Sequence, residues 1–363
     1  MNKSITGRYT AASILLENRF GPVGCSLASV ADHLLGLAIA GVLCLGASSS
    51  ESHAQPTDGS LAKTMLQSTG SRGGLCVHVG AGDDGFAVQL SQGGQYLVHG
   101  LGSSSEEVQA ARKNIAAAGL SAAVSVERWS GRKLPHADNL VNLLVADDLA
   151  GILKQGLEIG EIARVLAPGG VAWLGQAGDT RKPLQALLAK AGVKDFEIVQ
   201  GPGTWATVTK PRPPGMGVWT HAKHDASNNP VSTDDEMGMP DGIRWAAGPT
   251  WPTGGRKGAI STRVVSSRHL VYVFEDEIQA ADGPQRQWSL IVRDACNGLL
   301  LWRKKVNPHR GLVSVGDLVY TDQGGKLTAL LEDPFIHDGM AISGRRLYAT
   351  TQSGKIICLG DNN

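Results

Sequence analysis

Residues 75–85 read L-C-V-H-V-G-A-G-D-D-G, from Leu75 to Gly85. Leu75 to Val79 is a short apolar run of the kind that forms a buried strand. It passes into Gly80-Ala81-Gly82-Asp83-Asp84-Gly85, and Phe86 to Leu90 can open a helix. Strand, glycine turn and helix in that order bring backbone N–H groups close to a nucleotide-like ligand. One glycine makes the tight turn, one admits the ligand to the backbone, and one lets the helix pack near the strand. The pattern alone is weak, because the chain holds 47 glycines and chance matches are expected.

The segments after the bend strengthen the reading. Gln95 to His99 reads as a second strand, and residues 104–118 as a helix with Ser103, Ser104 and Ser105 at its start and Gly119 at its end. Ala123 to Glu127 is a third strand and Leu140 to Ala146 a fourth, running into Asp147 and Asp148. Ile152 to Leu166 reads as one helix, broken at Pro168-Gly169-Gly170, before a fifth strand from Val171 to Leu174. A helix from Lys182 to Ala191 and a strand pair, Phe196 to Gln200 and Trp205 to Thr209, close the unit. This alternation predicts a Rossmann-like, mainly parallel, doubly wound sheet.

At these residues the chain resembles the class I S-adenosylmethionine (SAM)-dependent methyltransferases, over about residues 73–210. The likeness rests on V-H-V-G-A-G-D-D-G, on A-A-R-K-N-I-A-A-A-G-L after the second strand, and on R-V-L-A-P-G-G-V before the fifth. It implies SAM as cofactor, with Gly80, Ala81, Gly82, Asp83, Gly85, Gly102 and Asp147 as the candidate binding residues and no assigned catalytic residue. Two departures stand out. His78 occupies a place where the family usually has an acid, and His99-Gly100-Leu101-Gly102 lacks the acid that usually holds the ribose hydroxyls. Losing two charge-assisted hydrogen bonds of roughly 1.5–3 kcal/mol each would weaken binding by about 100-fold or more. The alternative role for the acids Asp83, Asp84, Asp147 and Asp148 is helix capping.

The two ends of the chain differ from this core. Leu34 to Gly46 is an apolar run of 13 residues, preceded by Lys3, Arg8 and Arg19 and followed by Ser52-His53-Ala54. It reads as the core of an export signal, placing residues 1–54 in a leader, 55–72 in a linker, and the mature chain in the periplasm or cell envelope. An exported domain meets little SAM, which points the same way as the missing ribose acid. Net charge is +1, so no basic field marks a nucleic-acid binder. Five cysteines, two of them in the leader, define no disulfide framework.

Pro211-Arg212-Pro213-Pro214-Gly215 is a stiff break, and residues 211–244 read as a linker. Within it, His221, His224 and Asp225 could ligate a metal only on a helical turn, and Asn228-Asn229-Pro230 disfavours one. The expectation is no metal, and instead an ordered connection that docks its Trp, His and Asn side chains onto the second domain.

Residues 245–363 are β in character, with Leu270 to Phe274 and Trp288 to Asp294 as strands and Asn297-Gly298 as a hairpin turn. Gly316-Asp317-Leu318-Val319-Tyr320 repeats as Gly344-Arg345-Arg346-Leu347-Tyr348, and Gly325 to Leu330 repeats as Gly354 to Leu359. V-R-D-A-C-N-G-L-L-L-W, Val292 to Trp302, resembles the strand-turn-strand of pyrroloquinoline-quinone (PQQ)-like, or quinoprotein-like, β-propeller repeats. Together with the T-H-x-x-H-D-A-S-N-N segment it resembles exported bacterial proteins that join a methyltransferase-like domain to such a propeller. The length supplies two or three blades where propellers typically use four to eight, so an incomplete segment is expected, with open edges available for self-association. PQQ binding is not expected, since it needs groups converging from several blades.

The functional expectation is a SAM-dependent methyltransferase-like protein, its activity weakened or lost, acting on an unidentified methyl acceptor. The alternative is a non-catalytic exported scaffold that binds envelope proteins.

Overall fold

β1 (Gly73–Val79) is buried along almost its whole length, with Cys76 and His78 on one face of a sheet and Val77 and Val79 on the other. A strand covered on both sides reads as a continuous apolar run, and this is why residues 75–79 were legible. The computed structural model describes residues 59–71, 73–82, 84–93, 95–176, 181–201, 203–236, 238–239, 242–247, 265–266, 268–280, 282–306, 312–315, 318–321, 335–343, 346–351 and 354–359. The presumed leader, Asp83 and the Gly325–Leu330 half of the repeat lie outside them. No helix among the described residues is long and apolar enough to cross a membrane.

Around β1 the sheet is completed by β2 (Gln95–Gly102), β3 (Val124–Arg128), β4 (Val141–Ala146), β5 (Leu166–Gln176), β6 (Glu197–Gly201) and β7 (Gly203–Thr209). Their order is β3-β2-β1-β4-β5-β7-β6. β1 pairs in parallel with both β2 and β4, β2 with β3, and β4 with β5, while β7 runs antiparallel to β5 and β6. The strand order reverses between β1 and β4, the point where doubly wound sheets open a crevice at their carboxyl ends.

Helices cover both faces. α2 (Gly85–Gln92) and α3 (Ser105–Ala117) lie on one, and α4 (Leu149–Lys154), α5 (Ile159–Val165) and α6 (Arg181–Lys190) on the other. α3 opens on a capping box: Ser104 Oγ accepts from the Glu107 N–H, and the Glu107 carboxylate accepts from the Ser104 N–H.

Three expectations are corrected. The stretch read as a linker holds α1 (Gly59–Ser68), whose Leu61, Ala62, Met65 and Leu66 are buried in the core of the first face. Ser68 Oγ accepts from Trp173 Nε1 at 2.9 Å, tying α1 to β5. The single helix expected over 152–166 is two, because Gly156 adopts φ +104° and turns the chain between α4 and α5. Pro168-Gly169-Gly170 does not break the helix: α5 already ends at Val165 and β5 starts at Leu166, and the Gly169 N–H donates to the Lys210 carbonyl while the Lys210 N–H donates to the Gly170 carbonyl.

Beyond residue 236 the described elements are strands. β8 (Val265–Ser266), β9 (His269–Ala280), β10 (Gly283–Asp294) and β11 (Leu300–Val306) form a four-stranded antiparallel sheet. β12 (Leu312–Val315) pairs with β13 (Leu318–Thr321), and β14 (Phe335–Ser343), β15 (Arg346–Thr351) and β16 (Ile356–Leu359) form a third sheet. Adjacent residues of β12 face opposite ways. Leu312 packs with Val271, Val273, Leu290, Val292 and Leu301, and Val313 packs with Met340, Leu347 and Ala349. The two-stranded sheet is therefore sandwiched between the other two.

The β region is joined to the amino-terminal end of the α/β sheet. The 294–299 turn places Asp294 and Asn297 against Asn142 of β4, and Arg268 Nη2 donates to the Thr69 carbonyl at 2.7 Å.

Candidate functional site

The glycine bend lies at the carboxyl end of β1, beside the ends of β2 and β4, as the strand-turn-helix pattern requires. Gly80 has φ +93°, a conformation that side chains rarely adopt. Gly82 has open space where a Cβ would stand. Asp147 follows β4 and turns its carboxylate over the bend, with Oδ1 3.2 Å from where a Gly80 Cβ would lie. Its side chain is 46% exposed. Gly85 is the first residue of α2.

The bend is drawn toward β2. The Gly80 and Ala81 N–H groups both donate to the Leu101 carbonyl at 3.0 Å. Ala81 is buried, and its carbonyl oxygen lies 3.0 Å from where a Cβ of Gly102 would stand, with Val108 Cγ2 at 2.9 Å. The structure thus brings Gly80 together with Asp147 and Ala81 with Gly102, and closes the second of these pairs to any larger side chain.

The capping expectation for the acids is partly corrected. Asp84, with φ 53°, is the N-cap of α2 and accepts from the Ala87 N–H at 3.1 Å. Asp148 caps α4 through Gly151. The N-cap of α4 is Asp148, not Asp147, whose carboxylate faces the bend.

The sequence reading missed what His78 does. Its Nδ1 is 2.8 Å from Asp84 Oδ1, with both side chains buried. Its Nε2 is 3.6 Å from Asp147 Oδ2, beyond hydrogen-bond reach but close enough for charge attraction. The Phe86 ring meets it edge-on at 5.5 Å. Burial would lower the His78 pKa, but the Asp84 charge and then Asp147 override it and push the group up to about 10. Burial acts to raise the Asp147 carboxyl, and the His78 cation outweighs it and holds it below the usual range. An imidazolium between two carboxylates thus underlies the bend. The departure from an acid at 78 was visible in the sequence, but its partner at 84 had no distinguishing signal.

On the other face of β2, His99 Nδ1 lies 3.0 Å from His136 Nε2, and His99 Nε2 lies 3.7 Å from Glu127 Oε1. Burial lowers both histidines, His136 to about 4 with further help from His99 and Arg164.

In the segment after residue 215, His221 and His224 are buried. His221 Nδ1 bonds the Thr220 hydroxyl at 2.6 Å, and its Nε2 accepts from the Ile342 N–H at 3.3 Å. The Ser314 N–H donates to the Thr220 carbonyl at 2.9 Å. These side chains fasten the segment to β12 and β14. Among the described residues no group of three or more His, Cys, Asp or Glu is placed to hold a metal ion.

SAM would need acceptors at its methionine and ribose ends. The open Gly82, the exposed Gly80 and the Asp147 carboxylate suit the first. The second lacks a carboxylate on β2, and Ala81 and Val108 leave no room for one at 102. The residues fit a cofactor held by its methionine end and not by a β2 carboxylate.

Residues 77–174 match the family model described as a methyltransferase domain. No curated protein matches the chain. Among solved structures, a protein from Methanococcus maripaludis provisionally assigned as an S-adenosyl-L-methionine-dependent methyltransferase is 21% identical, over 43% of this chain and 85% of that one, with a TM-score of 0.36. A SAM-dependent methyltransferase from Aquifex aeolicus is 20% identical over 41% and 87%, with a TM-score of 0.35. The [4+2]-cyclase SpnF is 22% identical over 39% and 59%, with a TM-score of 0.33. Residues 77–174 carry a methyltransferase-type domain on a Rossmann-like sheet.

Proposed function

We propose that the α/β domain is a SAM-dependent methyltransferase-type domain whose cofactor binds at the Gly80–Gly82 bend, weakly for want of a ribose carboxylate. The observation that carries this reading is the position of the bend, at the carboxyl edge of the sheet where the strand order reverses, inside the stretch that matches the methyltransferase model. When bound, SAM supplies an electrophilic methyl group. The chain's own part is to seat the methionine end over Gly82, to face it with Asp147, and to hold the bend with His78 and Leu101. Isothermal titration of the full chain with S-adenosylhomocysteine tests it. A dissociation constant in the high-micromolar range is expected, and no heat at millimolar ligand would remove the reading.

A second reading has its own support. Two bend amides are already spent on Leu101, and the amino end of the sheet is occupied by the 294–299 turn. Both suit a non-catalytic scaffold. In that reading the β region is an incomplete PQQ-like propeller. Its support is that β8, β12 and β14, the first strands of three successive sheets, lie next to one another as innermost blade strands do. The apolar run at 34–46 supports export to the envelope, where the partners would be other envelope proteins. Cross-linking of envelope fractions distinguishes the readings, since a scaffold yields a defined partner and an isolated enzyme does not.

A further inference from the structure

The strand residue opposite His78 on β2 is Gly100, and opposite it on β4 is Val145. A Cβ on Gly100 would fall 2.2 Å from Asp84 Oδ2, so the space that holds the Asp84 carboxylate exists only because position 100 has no side chain. His78, Asp84 and Gly100 form a matched set. His78 Nδ1 lies within hydrogen-bond reach of Asp84 Oδ1 and Nε2 faces Asp147 Oδ2 at 3.6 Å, so carboxylate oxygens stand at both ring nitrogens and favour the protonated ring. Among the described residues, the neighbours on this face include Phe86 and Val145, which are apolar, and Cys76, whose thiol burial keeps protonated. Of the two carboxylates that flank the ring, Asp84 is buried and Asp147 is half-exposed and turns Oδ1 to Gly80.

We propose that His78 is a positioning residue: as an imidazolium tied to Asp84, it holds the Asp147 carboxylate over the bend, so that the bend receives a ligand through a cationic group. The His78 assignment stands on geometry within the chain, and only the identity of the ligand rests on the cofactor reading above. Asp84 anchors the ring from the start of α2, and Asp147 is the side of the bridge that reaches solvent. Releasing Asp147 frees both the carboxylate and the bend beneath it.

Three measurements on the full chain test this. In 15N-histidine spectra at pH 8.5, one imidazole keeps both ring protons and disappears in His78→Gln. If every histidine is neutral at that pH, the proposal falls, whatever the variants do. In Asp147→Asn, the Gly80 and Ala81 amides exchange at least tenfold faster while β5 amides are unchanged, and unaltered exchange at the bend overturns the clamping role. S-adenosylhomocysteine, which carries an ammonium group, binds Asp147→Asn at least tenfold more weakly, while 5′-methylthioadenosine, which lacks it, binds as before. An equal loss for both ligands overturns the ligand-facing role of Asp147. Failure of the unaltered chain to bind either ligand removes the cofactor reading, and the first two measurements still decide on His78.

Discussion

Asn142, in the middle of the α/β sheet, donates from Nδ2 to Asp294 Oδ2 at 2.7 Å across 152 residues of sequence, and both side chains are buried. Asn142 Oδ1 accepts from the Leu75 N–H at 2.8 Å and from Asn297 Nδ2 at 2.7 Å. Asp294 Oδ1 in turn accepts from the Cys296 and Asn297 N–H groups and shapes the turn that enters the sheet. One amide thus joins the strand before the glycine bend to the β region.

Asn142→Ala removes the acceptor of the Leu75 N–H and the donor to Asp294 Oδ2, while Asp294 Oδ1 keeps its bonds from the Cys296 and Asn297 N–H groups. A loss of about 3 kcal/mol is expected. Urea unfolding measures it. Trp173 and Trp205 in the first region and Trp288 and Trp302 in the second unfold in one coincident transition in the unaltered chain. Two separate transitions would show that the seam does not couple them.

Alkali loosens the bend. The folded pKa of His78 is raised to about 10 from 6.5, because the Asp84 and Asp147 charges outweigh burial. Its contribution is therefore complete below pH 6.5 and lost as pH climbs through 10. The urea midpoint of the unaltered chain falls between pH 7 and 10, and that of His78→Gln falls less. Parallel curves for the two proteins would contradict the sign.

Acid loosens the segment at 219–225. Burial depresses the His221 pKa against a smaller opposing pull from Asp225, and its Nε2 must stay unprotonated to accept from Ile342. Stability from this residue is complete above pH 6.5 and lost as pH falls through the lowered value. His221→Phe melts lower at pH 7.5, by an amount equivalent to about 1–2 kcal/mol. The gap closes toward pH 5, while the acid response of His99 and His136 is common to both proteins.

Restoring an acid at the end of β2 does not restore a ribose site. In Gly102→Asp the new Cβ meets the Ala81 carbonyl at 3.0 Å and Val108 Cγ2 at 2.9 Å. The expected cost is about 1–3 kcal/mol of stability with no gain in S-adenosylhomocysteine affinity. Thermal melts and calorimetry read the two effects separately, and tighter binding would show that the bend can move aside.

Much of the first fold could be read along the chain. The β1 run, the glycines at 80 and 82, the Ser104–Glu107 cap and Gly119 each state a local backbone or burial requirement within a few residues. The described part of the repeat, 318–320 and 346–348, likewise falls on corresponding strands, β13 and β15. α1 was missed because it is a single short stretch whose apolar stripe gains meaning only from the sheet it covers.

The sequence alone determines the alternation of strands and helices from β1 to β7, apart from the division of α4 from α5, because side-chain period and turn chemistry act over one element at a time. It also shows that the usual acids are absent at 78 and across 99–102. Tertiary structure decides what stands in their place. His78 finds Asp84 and Asp147, Ala81 closes over Gly102, and Asn142 meets Asp294. Those pairings depend on where separate segments arrive in space, and a buried polar group leaves no periodic trace of the partner that satisfies it.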